Sequence, residues 1–253
     1  MKLDAYKLKW IAIIAMILNH MVIAWWAIIP INLAYPMYAI GGLTFPIMAF
    51  FVVEGYKHTS SLKRYLQRIL IVGLIALPFH VLTLGFAFFP SLNIMFTIAL
   101  SICVLAVYDR IESKPAFWAL YVIFIIPVTM IFEWSFFGVT MLLLFYVIKH
   151  EKARRIIPPI VAVLLSGASS LIYLIPGMEM PQWGLMGDPA FSSVNATFAL
   201  GILFAPVLLL MYNGERGKQM KWLFYAFYPL HLAVLAVVAL ALGLVDFPPP
   251  WWP

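Results

Sequence analysis

Every lysine and arginine of this chain falls in one of five short clusters, and long apolar runs separate the clusters. Lys2, Lys7 and Lys9 precede the first run, and Lys57, Lys63, Arg64 and Arg68 follow the second. Arg110 and Lys114 follow the fourth, Lys149, Lys152, Arg154 and Arg155 the sixth, and Arg216, Lys218 and Lys221 the eighth. The connections 30–35, 89–91, 133–135 and 177–189 and the tail 245–253 hold no Lys or Arg. Basic residues are retained on the cytoplasmic side of a bilayer, so this alternation is that of a chain crossing a membrane repeatedly.

Composition supports the same class. The 253 residues are 65% hydrophobic and 10% charged, with a mean hydropathy of +1.01. A soluble domain carries roughly 25% charged residues. About 20 apolar residues span a bilayer core. The runs are 8–29, 36–56, 65–88, 92–108, 115–132, 136–149, 156–176, 190–212 and 222–244. They are longer and more continuous than the alternating segments of about ten residues in a membrane β-barrel. The expectation is an all-α polytopic bundle of about nine spans in a single integral-membrane domain, residues 1–253. The N-terminus would be cytoplasmic and the C-terminus outside. The first run is too long for an ordinary signal peptide and lacks a small-residue cleavage site. The single Cys103 cannot form an intrachain disulfide. Trp25, Trp26, Trp134, Trp183, Trp251 and Trp252 fall near predicted outer ends, as in an aromatic belt. The loop 177–189, with Glu179 and Asp188, reads as a connector or as a cover for an outer opening.

Polar residues inside apolar runs are costly and mark function or paired contacts. They form two layers here. Glu54 and Arg68 lie within about 5 Å of the cytoplasmic boundary, with Lys63, Arg64 and Tyr65 alongside. Glu54 and Arg68 are expected within ion-pair reach. A hairpin brace, a snorkelling Arg68 and a ligand site all fit them. His20 lies about 18 Å beyond Leu8 and His231 about 14 Å beyond Trp222, at matched depth near the bilayer middle. A histidine that accepts a proton near neutrality suits general-base work, its ordinary pKa being ~6.5. The two imidazoles are expected to share a cavity opening toward the cytoplasm, because each would otherwise be unsatisfied in hydrocarbon. His80 belongs to the outer half of its run, Glu133 marks the outer end of the fifth, and Asn93 opens the fourth with Thr97 a turn later. His58 and His150 fall in basic loops and read as solvated. No HExxH, CxxC, GxSxG or phosphate-loop motif occurs, so no metal site, nucleotide hydrolysis or nucleic-acid partner is expected.

Several blocks carry a family resemblance. Leu8-Lys9-Trp10-Ile11-Ala12 and Met16-Ile17-Leu18-Asn19-His20 resemble the first span of the TraX family, which is linked to conjugal transfer and to acetylation of pilin N-termini. The similarity continues through Phe45-Pro46, Glu54-Gly55-Tyr56, His58-Thr59, Tyr65 and Arg68. It resumes at Asn93-Ile94-Met95-Phe96-Thr97 and at Phe224 to Leu232, which includes Tyr228 and His231. Two positions depart from the pattern: Asn19-His20 stands where the family often has Asp-His, and Gly41-Gly42 where it often has Gly-Arg.

The family is similar to a wider group of integral-membrane acyltransferases, in which a histidine of an early span is often implicated. The resemblance implies a multi-pass protein of the bacterial cytoplasmic membrane that uses acetyl-CoA or another acyl-CoA as donor. The acceptor would be an amine or hydroxyl on a peptide, glycan or lipid. Lys63, Arg64, Arg68 and Tyr65 would bind the donor. His20 would act as base or carry the acyl group, Asn19 would orient it or stabilise the oxyanion, and His231 would share the proton. Glu54, His58, Asn93, Thr97 and Tyr228 complete the polar candidates. A small-molecule transporter and a non-enzymatic assembly factor remain as alternatives. The bilayer is the common partner, and a homo-oligomer is allowed.

Overall fold

The computed structural model describes residues 2–84, 92–170 and 184–244. The predicted outer residues Trp183, Glu179, Trp251 and Trp252 therefore lie outside the described residues, as do the end of the third run and the tail. Among the described residues the fold is helical throughout, with two isolated bridges and no strand.

Each apolar run becomes a helical segment. The first is α1 (Ala5–Ala24), and the second is α2 (Ile31–Gly41) followed by α3 (Thr44–His58). The third is α4 (Leu62–Thr83) and the fourth α5 (Ile94–Arg110). The fifth begins as α6 (Lys114–Leu120), widens to a π-turn at Tyr121–Ile125, and closes through α7 (Ile126–Val128) and a 3₁₀ turn at Thr129–Ile131. Pro127 has no amide to donate and its ring crowds the preceding turn, which accounts for that loosening. Then follow α8 (Ser135–Val147), α9 (Glu151–Ser170), α10 (Pro189–Ala196) with α11 (Phe198–Leu210), and α12 (Lys221–Ala241).

Six of these segments are long and apolar enough to cross a membrane: Ala5–Ala24, Ile31–His58, Leu62–Thr83, Lys114–Ile131, Pro189–Leu210 and Trp222–Ala241. The other three are α5, α8 and α9. The 13 residues of α8 reach about 20 Å, against a hydrocarbon core of about 30 Å.

Local chemistry starts the helices where the sequence turns polar. Asp4 caps α1 by accepting the Lys7 amide at 2.8 Å, Ser61 caps α4 through the Arg64 amide at 3.3 Å, and Asp188 caps α10 through Ala190 at 2.8 Å. A side-chain acceptor there satisfies an amide the helix leaves unpaired. Asp188 also accepts the Trp26 indole at 2.8 Å. That hydrogen bond holds its carboxyl below the usual carboxylate range.

α1 packs against α2, α3 and α12, while α8 packs against α3, α5 and α9. The basic ends meet at one end of the bundle. Leu3 exchanges backbone hydrogen bonds with Met211 and Asn213, both at 2.9 Å, and Arg155 donates to the Tyr212 carbonyl at 3.2 Å. Tyr56 at the end of α3 and Tyr146 at the end of α8 both donate to Asp109 near the end of α5, at 2.8 and 2.7 Å.

The α2–α3 break is set by a close backbone crossing. A Cβ on Gly42 would overlap the Phe198 carbonyl oxygen, and one on Gly201 would overlap the Ala39 carbonyl oxygen. Glycine lets α11 approach as closely as small-residue crossings do in membranes.

Candidate functional site

The C-terminal half of α1 and the middle of α12 bring His20 and His231 together. His20 Nδ1 and His231 Nε2 are 2.8 Å apart. The rings are nearly coplanar, at 13°, with centroids 5.1 Å apart, so they meet edge to edge along the hydrogen bond. The expectation that the first and last spans unite these residues is met. Burial leaves 6% of His20 and 8% of His231 accessible.

A backbone carbonyl fixes the polarity of this pair. His231 Nδ1 lies 3.0 Å from the Phe227 carbonyl, which can only accept. In the neutral pair His231 therefore carries its proton on Nδ1 and presents a bare Nε2. That nitrogen accepts from His20 Nδ1–H, and His20 Nε2 keeps its lone pair. Phe227, parallel to the His231 ring at 4.7 Å, holds it in place.

His20 borders a cavity of about 40 Å³ shared with Asn19, Glu133, Trp134 and Tyr228. One water needs roughly 10–15 Å³ on this measure, so the space holds water but not an acyl chain. The lining comes from the middle of the bundle and from helix ends opposite the basic turns, including Ile94 at the start of α5 and Phe198 at the start of α11.

Two buried polar atoms of the cavity wall, Asn19 Nδ2 and Tyr228 Oη, have no partner in good hydrogen-bond geometry among the described residues, though the Tyr38 hydroxyl and the Ile94 amide lie near them. Asn19 lies beside Tyr38 and against Gly41, where a Cβ would come within 2.6 Å of its own Cβ. The orienting role expected of Asn19 is filled instead by His231, and its amide remains as a donor at the cavity.

Glu133 is the carboxylate of the cavity. The Leu92–Phe132 bridge pins its segment, with Leu92 donating to Ile131 at 2.9 Å and Glu133 donating to Leu92 at 2.8 Å. Thr97 donates its hydroxyl to the Glu133 carbonyl. Glu133 Oε2 accepts the Ile94 amide at 2.9 Å and lies 3.9 Å from His80 Nδ1. A quarter of the Glu133 side chain is accessible. Its carboxyl is nonetheless removed from bulk solvent, and this burial raises it from 4.5 to about 7. The next two residues, Trp134 and Ser135, hold φ of 65° and 41°. Non-glycine residues held there cost of order 1–3 kcal/mol and persist where the surroundings over-determine them.

The remaining candidates divide. Asn93 is fully buried, caps α5 through Met95 at 3.1 Å and donates to the Gly73 carbonyl at 2.9 Å, which spends its polar atoms on joining α5 to α4. Thr97 positions Glu133, as above. Lys63 and Arg64 are exposed on the first turn of α4. Tyr65 donates to the Val52 carbonyl at 3.3 Å. His58 donates to the Glu54 carbonyl at 2.8 Å and so folds back on its own helix.

The expected Glu54–Arg68 pair does not form. Glu54 pairs with Arg154 of α9 and lies 3.8 Å from Lys57. Arg154 is 3% exposed and also donates from Nε to the Phe145 carbonyl. A buried guanidinium needs a carboxylate more than a partly exposed one does; Arg68 lies within electrostatic reach of Tyr65, its Nε buried without a hydrogen-bond partner among the described residues. Sequence reasoning missed Arg154 as the partner and Glu133 as a site residue. A lone carboxylate in a connection without basic residues was the available signal for Glu133.

The TraX protein family matches residues 5–239. A protein of Dichelobacter nodosus named "Probable fimbrial assembly protein FimC, serogroup H1" is 29% identical over 259 residues, covering 92% of this chain and 94% of that protein. No solved structure matches the chain. The matched region runs from the start of α1 into the last turn of α12 and so includes both histidines and the whole cavity wall: the chain belongs to the TraX family.

Proposed function

We propose that this chain is an integral-membrane acyltransferase of the bacterial cytoplasmic membrane. It moves an acetyl or other acyl group from acyl-CoA to an amine or hydroxyl on a peptide, glycan or lipid. The observation that carries this reading is the buried 2.8 Å His20–His231 pair, whose hydrogen-bond polarity leaves His20 Nε2 as a base at the cavity. The acceptor's lone pair attacks the thioester carbonyl, a C–N or C–O bond forms and the C–S bond breaks. The acceptor's proton passes to His20 and leaves on the CoA thiol. Asn19 Nδ2 and Tyr228 Oη are unspent donors suited to the oxyanion.

The donor phosphates bind at the basic end, on Lys63, Arg64 and Arg68, with Tyr65 beside them. Arg68 precedes His80 by about 18 Å along α4, a length for an extended pantetheine arm to cover. Because the cavity holds only water, the arm enters when helices part. Nine spans with the basic turns in the cytoplasm complete this topology. The fimbrial assembly name of the relative suits a peptide acceptor on the outer side.

The test is transfer of label from radiolabelled acetyl-CoA by the purified protein in proteoliposomes, with a short peptide, a glycan and lipid as alternative acceptors. Label on an acceptor is the expected result. Binding of a peptide without any transfer would instead support an assembly factor, and uptake without acyl-CoA a transporter. Arg68→Ala is expected to weaken acetyl-CoA binding about tenfold, the worth of one charge-assisted contact, with the melting temperature unchanged.

A further inference from the structure

Asn19 gives the imidazole pair no charge. A proton taken by His20 creates a cation in a site with few accessible atoms, and a buried cation without a counter-charge is costly. The cavity contains one group that meets this need. Glu133 shares it with His20, is held by the Ile94 amide, the Thr97 hydroxyl and the Leu92 carbonyl, and is followed by two left-handed residues. An ordinary connector needs none of this restraint.

We propose that Glu133 is a positioning residue of this site: across the cavity it supplies the negative charge that the His20–His231 pair requires when it takes the acceptor's proton. The inference rests on the acyl-transfer reading for the source of that proton, but the coupling itself is a property of the protein alone. Water in the cavity carries the contact, since the space admits it. The groups facing Glu133 are His80 of α4 at 3.9 Å, the Ile94 amide of α5, His20 of α1 across the cavity, and Tyr38 of α2 and Tyr228 of α12 within electrostatic reach. His80 steadies the carboxylate from behind. The proton moves from acceptor to His20 Nε2 and then to the departing thiolate, while Glu133 supplies its charge in the ionised form and forms no bond to substrate.

Infrared spectroscopy of the full chain in nanodiscs tests the coupling without any substrate. The protonated-carboxyl band that disappears in Glu133→Gln is followed against pH in the wild type and in His20→Asn. The midpoint is expected to shift by about 0.5 pH unit or more in His20→Asn, because the imidazole across the cavity, a lone-pair acceptor when neutral and a cation when protonated, is removed. An unchanged midpoint in folded His20→Asn overturns the inference, whatever the transfer assay gives. Kinetics supply the second arm, with acetyl-CoA as donor. Glu133→Gln is expected to lower kcat about 10²-fold with KM for acetyl-CoA unchanged. Glu133→Asp restores part of the rate, and Glu133→Gln adds no further loss in a His20→Asn background. Full additivity, or loss only in proportion to melting temperature, makes Glu133 structural. Coupling in the infrared without transfer by the wild type leaves this inference standing and removes the acyltransferase reading.

Discussion

At the scale of the residue, the site was half legible. His20 and His231 stood out because an imidazole is rare in hydrocarbon and because both fell at one depth, a quantity that helix rise supplies. That match predicts neighbouring imidazoles; the direct hydrogen bond between them is a finding of the structure. Glu133 did not stand out, since its importance comes from the Leu92–Phe132 bridge and the strained turn, contacts between distant segments that leave no local pattern. Its chemistry gives a pH prediction. Burial raises the carboxyl from 4.5 to about 7, so the folded protein holds this proton more tightly than the unfolded chain. The resulting stability is fully present below pH 4.5 and is lost as pH rises through 7. Melting temperatures measured across this window should therefore fall more in the wild type than in Glu133→Gln. Parallel curves would show that burial does not raise the Glu133 carboxyl.

At the scale of the element, the nine apolar runs were readable because hydrophobic length needs no tertiary information. Their internal breaks were not. The second run divides at Gly42, where the family often has arginine, and the backbone of α11 occupies the space a side chain would take. Gly42→Ala is expected to cost about 1–3 kcal/mol from overpacking, seen as a lower melting temperature, and Gly201→Ala a similar amount. Wild-type stability in both would mean that α2 and α11 do not cross so closely. Glu54 was correctly singled out as a paired charge but assigned to the wrong helix, because ion pairs between neighbouring helices are all that a sequence suggests. Arg154 lies 100 residues away from it. Removing Arg154 leaves Glu54 with Lys57 alone, so Arg154→Ala should destabilise by about 3 kcal/mol. Arg68→Ala should not destabilise, and equal losses would restore the hairpin pair.

At the scale of the whole molecule, the distribution of basic residues made the class evident and predicted which helix ends meet. Leu3 with Asn213, Tyr56 and Tyr146 with Asp109, and Arg155 with Tyr212 join those ends directly. Six segments suffice in length and apolarity to cross; whether α5, α8 and α9 complete nine crossings decides the sides. With nine, cysteines placed at 213–221 and at 248–253 react with an impermeant reagent from opposite faces of the membrane. Reaction of both from one face contradicts nine spans. The site itself lies between the first and last helices, so the chain must be almost fully inserted before it exists.

In the proposed reaction the His20–His231 pair handles the proton of acyl transfer. The measurement that tests it most directly is transfer from acetyl-CoA by His20→Ala, His231→Ala and the double variant, each matched to the wild type in melting temperature. A loss of about 10²–10⁴-fold is expected for His20→Ala, a smaller loss for His231→Ala, and no further loss in the double variant. Full transfer by folded His20→Ala would contradict it.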